Sequence, residues 1–172
     1  MAYTNCLLTQ GFVKDCRDSV GGIKTIYLAN KHLIDSITSA DGEITAITMD
    51  TGANFYKYEL RRQTSNFTET IEASEENGTV FFEQEANIML TKMEAAKRNE
   101  IYLIAKADTV MVVEDQNGKQ WMLGKEHGLT LTGTAETGTA FGDMNGYNLT
   151  FTGQEREPAM EVSGSIIEGL LE

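Results

Sequence analysis

The chain has 172 residues, 41% of them apolar and 23% charged, and its formal net charge at pH 7 is −12. This size and composition predict one globular domain with a sizeable core. The negative charge repels nucleic-acid phosphates and anionic membranes, which disfavours DNA recognition and membrane binding but is compatible with passive enclosure of DNA. We expect no transmembrane helix, because no apolar run is long enough, and no signal peptide, because the N-terminus has no basic region and no long apolar core.

One domain over residues 1–172 is expected, since the chain contains one proline and has no Pro/Ser-rich linker or internal repeat. An N-terminal arm over residues 1–20 and a C-terminal arm over residues 163–172 flank the domain in this interpretation. The two cysteines, Cys6 and Cys16, are expected to be reduced thiols of a protein made in a cytoplasm. Whether they ever pair is left open.

Four Asn-Gly or Asp-Gly pairs punctuate the chain, and such pairs supply the positive φ angles of tight hairpin turns. They are Asp41-Gly42, Asn77-Gly78, Asn117-Gly118 and Asn145-Gly146. In chain order, the segments around the first two pairs predict strands at residues 23–30, 43–49, 54–61, 66–73 and 79–90. We expect the strand at 66–73 to return antiparallel to the strand at 54–61, with residues 62–65 as an exposed loop.

The strand at residues 79–90 is the longest and has two distinct faces. One face carries Val80, Phe82, Ala86, Ile88 and Leu90 and is interrupted by Gln84, whereas Glu83, Glu85 and Asn87 lie on the other. About twelve residues extend to roughly 40 Å at the rise of a strand, which is longer than a typical strand. Such a strand suits a barrel wall or a sheet that continues into neighbouring subunits.

A helix is predicted over residues 92–106. Thr91 and Glu94 have the spacing of a capping box at its start. The apolar residues that follow recur at helical spacing, at Met93, Ala96, Ile101 and Ile104. The helix should therefore be half buried.

Four further strands are predicted after the helix, at residues 109–114, 119–124, 129–134 and 148–152. The whole pattern predicts a mainly β fold. We expect an antiparallel β-sandwich or barrel with one flanking α-helix.

No catalytic, cofactor-binding or metal-binding site is predicted, and the chain is not expected to be an enzyme. A catalytic triad needs a histidine beside a nucleophile, but His32 and His127 have the surroundings of ordinary surface or loop residues. The sequence Asp115-Gln116-Asn117-Gly118 begins like a calcium-binding loop, and the residues after it do not continue the pattern.

Four segments carry a resemblance to a known family: GIKTIYLAN at residues 22–30, FYKYEL at 55–60, FTETI at 67–71 and GYNLTFTG at 146–153. They resemble structural proteins of tailed bacteriophages, particularly phages of Bacteroidetes-type hosts. The order of elements, with strands, a long extended hairpin, a helix and further strands, is similar to that of phage tail tube proteins. The resemblance covers about residues 7–162 and lies in the overall string and element order rather than in a catalytic motif.

The resemblance implies a subunit that forms rings, hexameric in this family, which stack into a hollow tail tube through which DNA passes without specific binding. It implies other tail or connector proteins as further partners, and a location in the virion tail after synthesis in the bacterial host cytoplasm. We expect Glu83 and Glu85 to face the lumen, because the other face of their strand is apolar. Residues 61–77 are the candidate inter-ring loop, represented by Arg62, Gln63, Thr64, Ser65, Glu75 and Glu76.

Two other interpretations fit the same residues. A head-to-tail connector or tail terminator ring can use a related β fold and a similar acidic lumen, and the sequence does not separate one ring from many. A monomeric β-barrel ligand-binding protein or enzyme is the alternative from another class, and it needs a closed pocket with convergent polar groups. Ring symmetry, tail type and host are also left open.

Overall fold

The computed structural model of the chain describes residues 6–172. The strands are β1 (Ile23–Asn30), β2 (Ile34–Ala40), β3 (Glu43–Met49), β4 (Tyr56–Glu59), β5 (Asn66–Ser74), β6 (Thr79–Thr91), β7 (Thr109–Asp115), β8 (Gln120–Leu123), β9 (Thr130–Glu136), β10 (Gly146–Glu155) and β11 (Met160–Val162). The helices are α1 (Ala95–Ile104) and α2 (Gly164–Glu168), and a short 3-10 helix spans Lys31–Leu33. Residues 6–20 are exposed and belong to no strand or helix.

The strands form two sheets that pack face to face. The larger sheet has seven strands in the order β2-β3-β11-β8-β7-β1-β4, and the smaller has four in the order β5-β6-β10-β9. Every pairing is antiparallel except that of β11 with β3. The prediction of a mainly β sandwich with a flanking helix is thus confirmed, and the described strands do not close into a barrel.

Two hydrophobic cores lie on the two faces of the larger sheet. The first, between the sheets, includes Ile26, Leu28, Met111, Val113, Leu123, Ala86, Ile88, Leu149 and Phe151. The second, on the far face, includes Tyr27, Ala29, Val110, Val112, Met122, Ile34, Ile44, Ile47, Phe55, Val162 and Ile167. The first five residues of β7 (TVMVV) are all buried, because alternate side chains enter different cores. A strand covered on both faces has an unbroken apolar sequence for this reason.

The C-terminal residues complete the second core. Ile167 on α2 is fully buried, the backbone N–H of Phe55 donates to the carbonyl of Leu170 at 2.8 Å, and Leu171 forms a bridge with Phe55. The segment expected as a C-terminal arm therefore packs against its own chain.

Three of the four predicted glycine turns are hairpins. Gly42, Gly78 and Gly118 have φ angles of 83°, 63° and 82° and join β2 to β3, β5 to β6 and β7 to β8. The fourth prediction is wrong, because Gly146 begins β10 after a long loop. Position 146 needs a glycine for another reason: the backbone there lies so close to β6 that an added Cβ would collide with the carbonyl oxygen of Leu90.

The predicted pairing of the strand at 66–73 is also wrong. β5 pairs with β6 through the register Asn66↔Asn87 to Ser74↔Thr79, whereas β4 pairs with β1 in the other sheet. Between β4 and β5 the chain crosses from one sheet to the other, and Gln63 takes a left-handed φ of 59° at this turn.

The helix is shorter than predicted, because α1 begins at Ala95 and ends at Ile104 rather than spanning 92–106. The predicted capping box does not form: Thr91 is the last residue of β6, and Lys92 has a φ of 68°. Instead, the Nζ of Lys97 donates to the carbonyls of Thr91 and Lys92 at 2.8 and 3.2 Å. Neither described helix combines the length and the apolarity that crossing a membrane requires.

Candidate functional site: the outer face of the four-stranded sheet

The four-stranded sheet turns one face to the core and the other to solvent, and we call the second the outer face. Residues directly opposite one another in an antiparallel pair point to the same face, so the register assigns every member. The outer face consists of Asn66, Thr68, Thr70, Glu72 and Ser74 of β5; Thr79, Phe81, Glu83, Glu85, Asn87, Met89 and Thr91 of β6; Asn148, Thr150, Thr152 and Gln154 of β10; and Thr130, Thr132, Thr134 and Glu136 of β9. Threonines and other uncharged polar residues dominate it.

The charges on the outer face all have one sign. It carries four glutamates, and none of the chain's 14 lysines and arginines lies on this described surface. None of these four glutamates takes part in a salt bridge among the described residues, so their fields add. One cation reaches the edge of the face, where Arg61 Nε donates to Thr91 Oγ1 at 3.0 Å. The outer face is therefore an acidic β surface that repels polyanions.

Glu83 and Glu85 both lie on this face, where the alternation of their strand predicts them. Glu83 stands between Thr70 and Gln154, and Glu85 between Thr68 and Thr152. Adjacent polar side chains orient Glu85 through a chain of hydrogen bonds. The Nδ2 of Asn87 donates to Glu85 Oε1 at 2.7 Å, and the Oγ1 of Thr150 donates to Asn87 Oδ1 at 2.8 Å. That these carboxylates face a lumen stays a prediction.

The six residues of the predicted inter-ring loop are not brought together. Arg62, Gln63, Thr64 and Ser65 lie in the turn before β5, whereas Glu75 and Glu76 lie in the turn after it. The nine residues of β5 separate the two groups, which corresponds to roughly 30 Å at the rise of a strand. Residues 61–77 are thus mostly strand rather than loop, because β5 pairs with β6 along its whole length.

Ser65 has a structural contact that the sequence did not predict. It is 8% exposed, and its Oγ accepts a hydrogen bond from the backbone N–H of Met89 at 3.2 Å. Thr64 closes the turn by donating to the carbonyl of Arg61 at 2.8 Å. The expectation that residues 62–65 form an exposed loop therefore holds for Arg62 and Gln63 but not for Ser65.

The far end of the β5–β6 hairpin extends past the core. Ile71 and Val80, which lie on the core-facing side of these strands, are 67% and 59% exposed. The apolar face predicted for residues 79–90 is consequently buried only from Gln84 onward. Beyond that point the larger sheet offers no cover, so the hairpin presents apolar side chains on one side and the acidic outer face on the other.

Gln84 marks the boundary between the buried and the projecting parts of the hairpin. It is 1% exposed, its Nε2 donates to Glu69 Oε2 at 3.0 Å, and its Oε1 accepts from the backbone N–H of Gly124 at 2.9 Å. Glu69 Oε2 also accepts from the N–H of Ala159 at 2.7 Å. The only sequence signal for this bridge between the sheets was a polar residue within an apolar face.

A second cluster that the sequence did not predict surrounds Glu155, which is 3% exposed. Its carboxylate accepts hydrogen bonds from the backbone N–H groups of Glu126 and His127 at 3.0 and 2.9 Å, and His127 Nδ1 lies 3.6 Å from Glu155 Oε2. These three side chains could approach one metal ion. However, Glu126 forms an ion pair with Arg156, and both oxygens of Glu155 already hold the loop before β9, so the geometry assigns the cluster a structural role.

Two tyrosines, Tyr27 (buried) and Tyr58 (half-buried), have raised pKa values. Burial raises the pKa of Tyr27 to about 12, with a further contribution from its hydrogen bond to the Glu114 carboxylate at 3.0 Å. Burial also raises the pKa of Tyr58 to about 12, with the charge of Glu100 as the next cause. Both phenols therefore stay protonated at neutral pH.

Comparison of the chain with protein-family models, with curated proteins and with solved structures finds no match.

Proposed function

We propose that this chain is a self-assembling structural subunit of a virion, and that it forms the stacked rings of a phage tail tube with the outer face lining a channel for DNA. The single observation that supports this most strongly is the charge distribution of that face. A conduit for a polyanion must not retain it, and a wall whose strand residues include four carboxylates and no lysine or arginine meets that requirement.

The uncovered edges of the small sheet also support assembly. In the described chain β5 and β9 each pair on one side only, so both edges of the sheet present unpaired backbone groups. Open edges of this length are normally paired or covered. In a ring, β5 of one subunit could pair with β9 of the next, which would continue the outer face from subunit to subunit.

Electron microscopy of the purified protein tests the assembly proposal. We expect hollow tubes of uniform diameter built from stacked rings. Single rings that do not stack would support the head-to-tail connector or tail terminator instead. A protein that stays monomeric at high concentration would refute both and would favour the monomeric ligand-binding protein.

Charge reversal tests the assignment of the outer face. In virions that carry the Glu83→Lys/Glu85→Lys double variant, we expect tubes to form but genome delivery to slow or stop. Two carboxylates per subunit are then replaced by two lysines, which would hold DNA phosphates. The readout is the fraction of the genome released after triggering.

The matched control for charge reversal changes two exposed acids on the larger sheet, as Asp35→Lys/Glu43→Lys, which makes the same change in net charge. We expect this control to release DNA as the unmodified virion does. Normal delivery by the Glu83/Glu85 variant, or equal defects in both variants, would contradict a channel lined by the outer face.

A further inference from the structure

The segment formed by residues 6–20, which we call the arm, exposes a dense group of large apolar side chains. Leu8 is 99% exposed, Phe12 91% and Val13 86%, and Leu7 is 68% exposed. Residues 6–13 carry no charged side chain, although the chain as a whole has a net charge of −12. Apolar side chains grouped in this way are unfavourable in water and mark an interaction surface.

An apolar cleft of about 480 Å³ opens between β4, α1 and the two sheets. Its floor includes Ile26, Leu28, Ile88 and Phe151, and its rim carries Lys57, Glu59, Lys97 and Glu100. Protein interiors are normally packed as densely as organic crystals, so a gap of this size lacks side chains that would complete the packing. The subunit's own side chains line the cleft but do not fill it.

The arm and the cleft each have an apolar part next to a part with charges of both signs. The uncharged, apolar residues 7–13 are followed by Lys14, Asp15, Arg17 and Asp18. The cleft has an apolar floor and a rim with two cations and two carboxylates. An arm that places its apolar part on the floor therefore brings its mixed charges to the mixed charges of the rim.

We propose that the arm of one subunit occupies the cleft of a second copy, with Leu8 and Phe12 against the floor. The proposal rests on the self-assembly proposed above and names the contact that joins the copies. The base of the arm is fixed, since Val20 N–H donates to Asn117 Oδ1 at 2.9 Å and Asn117 Nδ2 donates to the Val20 carbonyl at 2.8 Å. From that base to Leu8, an extended chain spans up to about 40 Å, roughly the diameter of a domain of this size.

Disulfide trapping between two chain populations tests this contact, because Cys6 and Cys16 are the only cysteines of the chain and both lie in the arm. The first population keeps Cys6 and carries Cys16→Ser. The second carries Cys6→Ser and Cys16→Ser with Ala96→Cys at the cleft. After mixing, assembly and mild oxidation, we expect a covalent dimer on a non-reducing gel, with the peptide of Cys6 joined to that of position 96.

Two control proteins test whether the disulfide could form by a chance contact. Replacing Ala96→Cys by Thr45→Cys, an exposed site on β3 that does not line the cleft, should reduce the dimer to background. A chain that holds both Cys6 and Ala96→Cys shows whether the arm instead docks into the cleft of its own subunit, because the disulfide then forms within one chain. A disulfide formed only within that chain, or none while electron microscopy shows rings, would overturn the arm proposal and leave the proposed function standing. The absence of any assembly would overturn both.

A second variant probes the apolar side chains directly. Leu8→Asp/Phe12→Asp should leave the subunit folded, with an unchanged circular dichroism spectrum, because both residues are exposed in the monomer. It should raise the concentration needed for assembly at least about tenfold, since two buried apolar contacts are lost. The control Thr9→Asp/Gln10→Asp adds the same charge to the same segment and should have a much smaller effect. Equal effects of the two variants would refute the specific contact.

Discussion

Gln84 connects the two sheets through its side chain, and replacing it tests how much this polar bridge contributes to stability. In the variant Gln84→Met the volume and shape of the side chain are largely kept. The N–H of Gly124 then loses its acceptor, and Glu69 loses the donor that reaches it from within the sandwich. The change therefore removes the hydrogen bonds without opening a large cavity.

The magnitude follows from the two bonds. A buried N–H without a partner costs about 1–3 kcal/mol, and a lost hydrogen bond to a carboxylate costs about 1.5–3 kcal/mol when fully buried. Glu69 is half-buried, so its share is smaller, and the added apolar surface of methionine offsets part of the loss. We expect a net decrease of about 2–3 kcal/mol in the free energy of unfolding, which for a chain of this size lowers the Tm by about 5–10 °C.

The variant Gln84→Glu distinguishes the bond to Gly124 from the bond to Glu69, because only the second depends on pH in this variant. A carboxylate keeps the acceptor for Gly124, but it would face the carboxylate of Glu69 at hydrogen-bonding distance. Since two such charges cannot both be accommodated, the introduced group binds a proton and its folded-state pKa lies above the unfolded value of about 4.3. Its stabilising contribution is present below that unfolded pKa and is lost as the pH rises through the folded pKa. The Tm deficit relative to the unmodified chain should therefore grow from pH 4 towards neutrality.

Thermal and urea denaturation between pH 4 and pH 8 measure the Tm and the free energy of unfolding. Gln154→Met, on the exposed outer face of the neighbouring strand, is the matched control and should change stability by less than about 0.5 kcal/mol. The reasoning is refuted if Gln84→Met is as stable as this control, or if the deficit of Gln84→Glu is independent of pH.

Two further changes probe the core and the small sheet. Tyr27→Phe removes the hydrogen bond to Glu114 and should lower the free energy of unfolding by about 1–2 kcal/mol at pH 7. Because the pKa of Tyr27 is raised to about 12, the stabilisation by its phenol is complete below pH 10 and is lost as the pH rises through 12. The difference in unfolding free energy between the variant and the unmodified chain should therefore narrow over that range. A constant gap would contradict the shift. Gly146→Ala places a Cβ against the carbonyl of Leu90 and should lower stability by about 1–3 kcal/mol, whereas Gly142→Ala, which meets open space, should leave the Tm nearly unchanged; similar Tm values for the two variants would show that β10 has room to shift.

The sequence predicted those strands whose signals are local. β1 and β3 match the predicted bounds, because alternation or a glycine turn marks each of them. β2 was missed, since in Ile34–Ala40 the two isoleucines stand three residues apart and the rest is small or polar. β11 was missed because a three-residue strand is defined by its partners β3 and β8, which are distant in the sequence.

The errors in pairing and capping have a common physical cause. Short-range rules favoured a hairpin between the strands at 54–61 and 66–73, and a capping box at Thr91. In the structure a full nine-residue register with β6 holds β5, and continued pairing of β6 with β10 keeps Thr91 extended. Long ladders outweighed a cap that stabilises by only about 1 kcal/mol.

The candidate site was predictable only in part. The alternation within β6 placed Glu83 and Glu85 on the polar face of their own strand. That the same face continues over three further strands without a lysine or arginine depends on the sheet order β5-β6-β10-β9, which no local pattern contains. The carboxylate of Glu155 and the amide of Gln84 acquire their partners in the same way, from loops about 30 and 40 residues distant.

The two cores make three of the proposed interaction surfaces independent of folding, whereas the floor of the cleft belongs to the first core. Both faces of β7 are covered within one chain, and α2 completes the second core from the same chain. The outer face, the projecting end of the β5–β6 hairpin and the arm contribute little to either core. Substitutions at Glu83 or Leu8 should therefore leave the unfolding free energy nearly unchanged, whereas substitutions at Gln84 should lower it. A defect in assembly or DNA passage at constant stability can then be attributed to the surface itself.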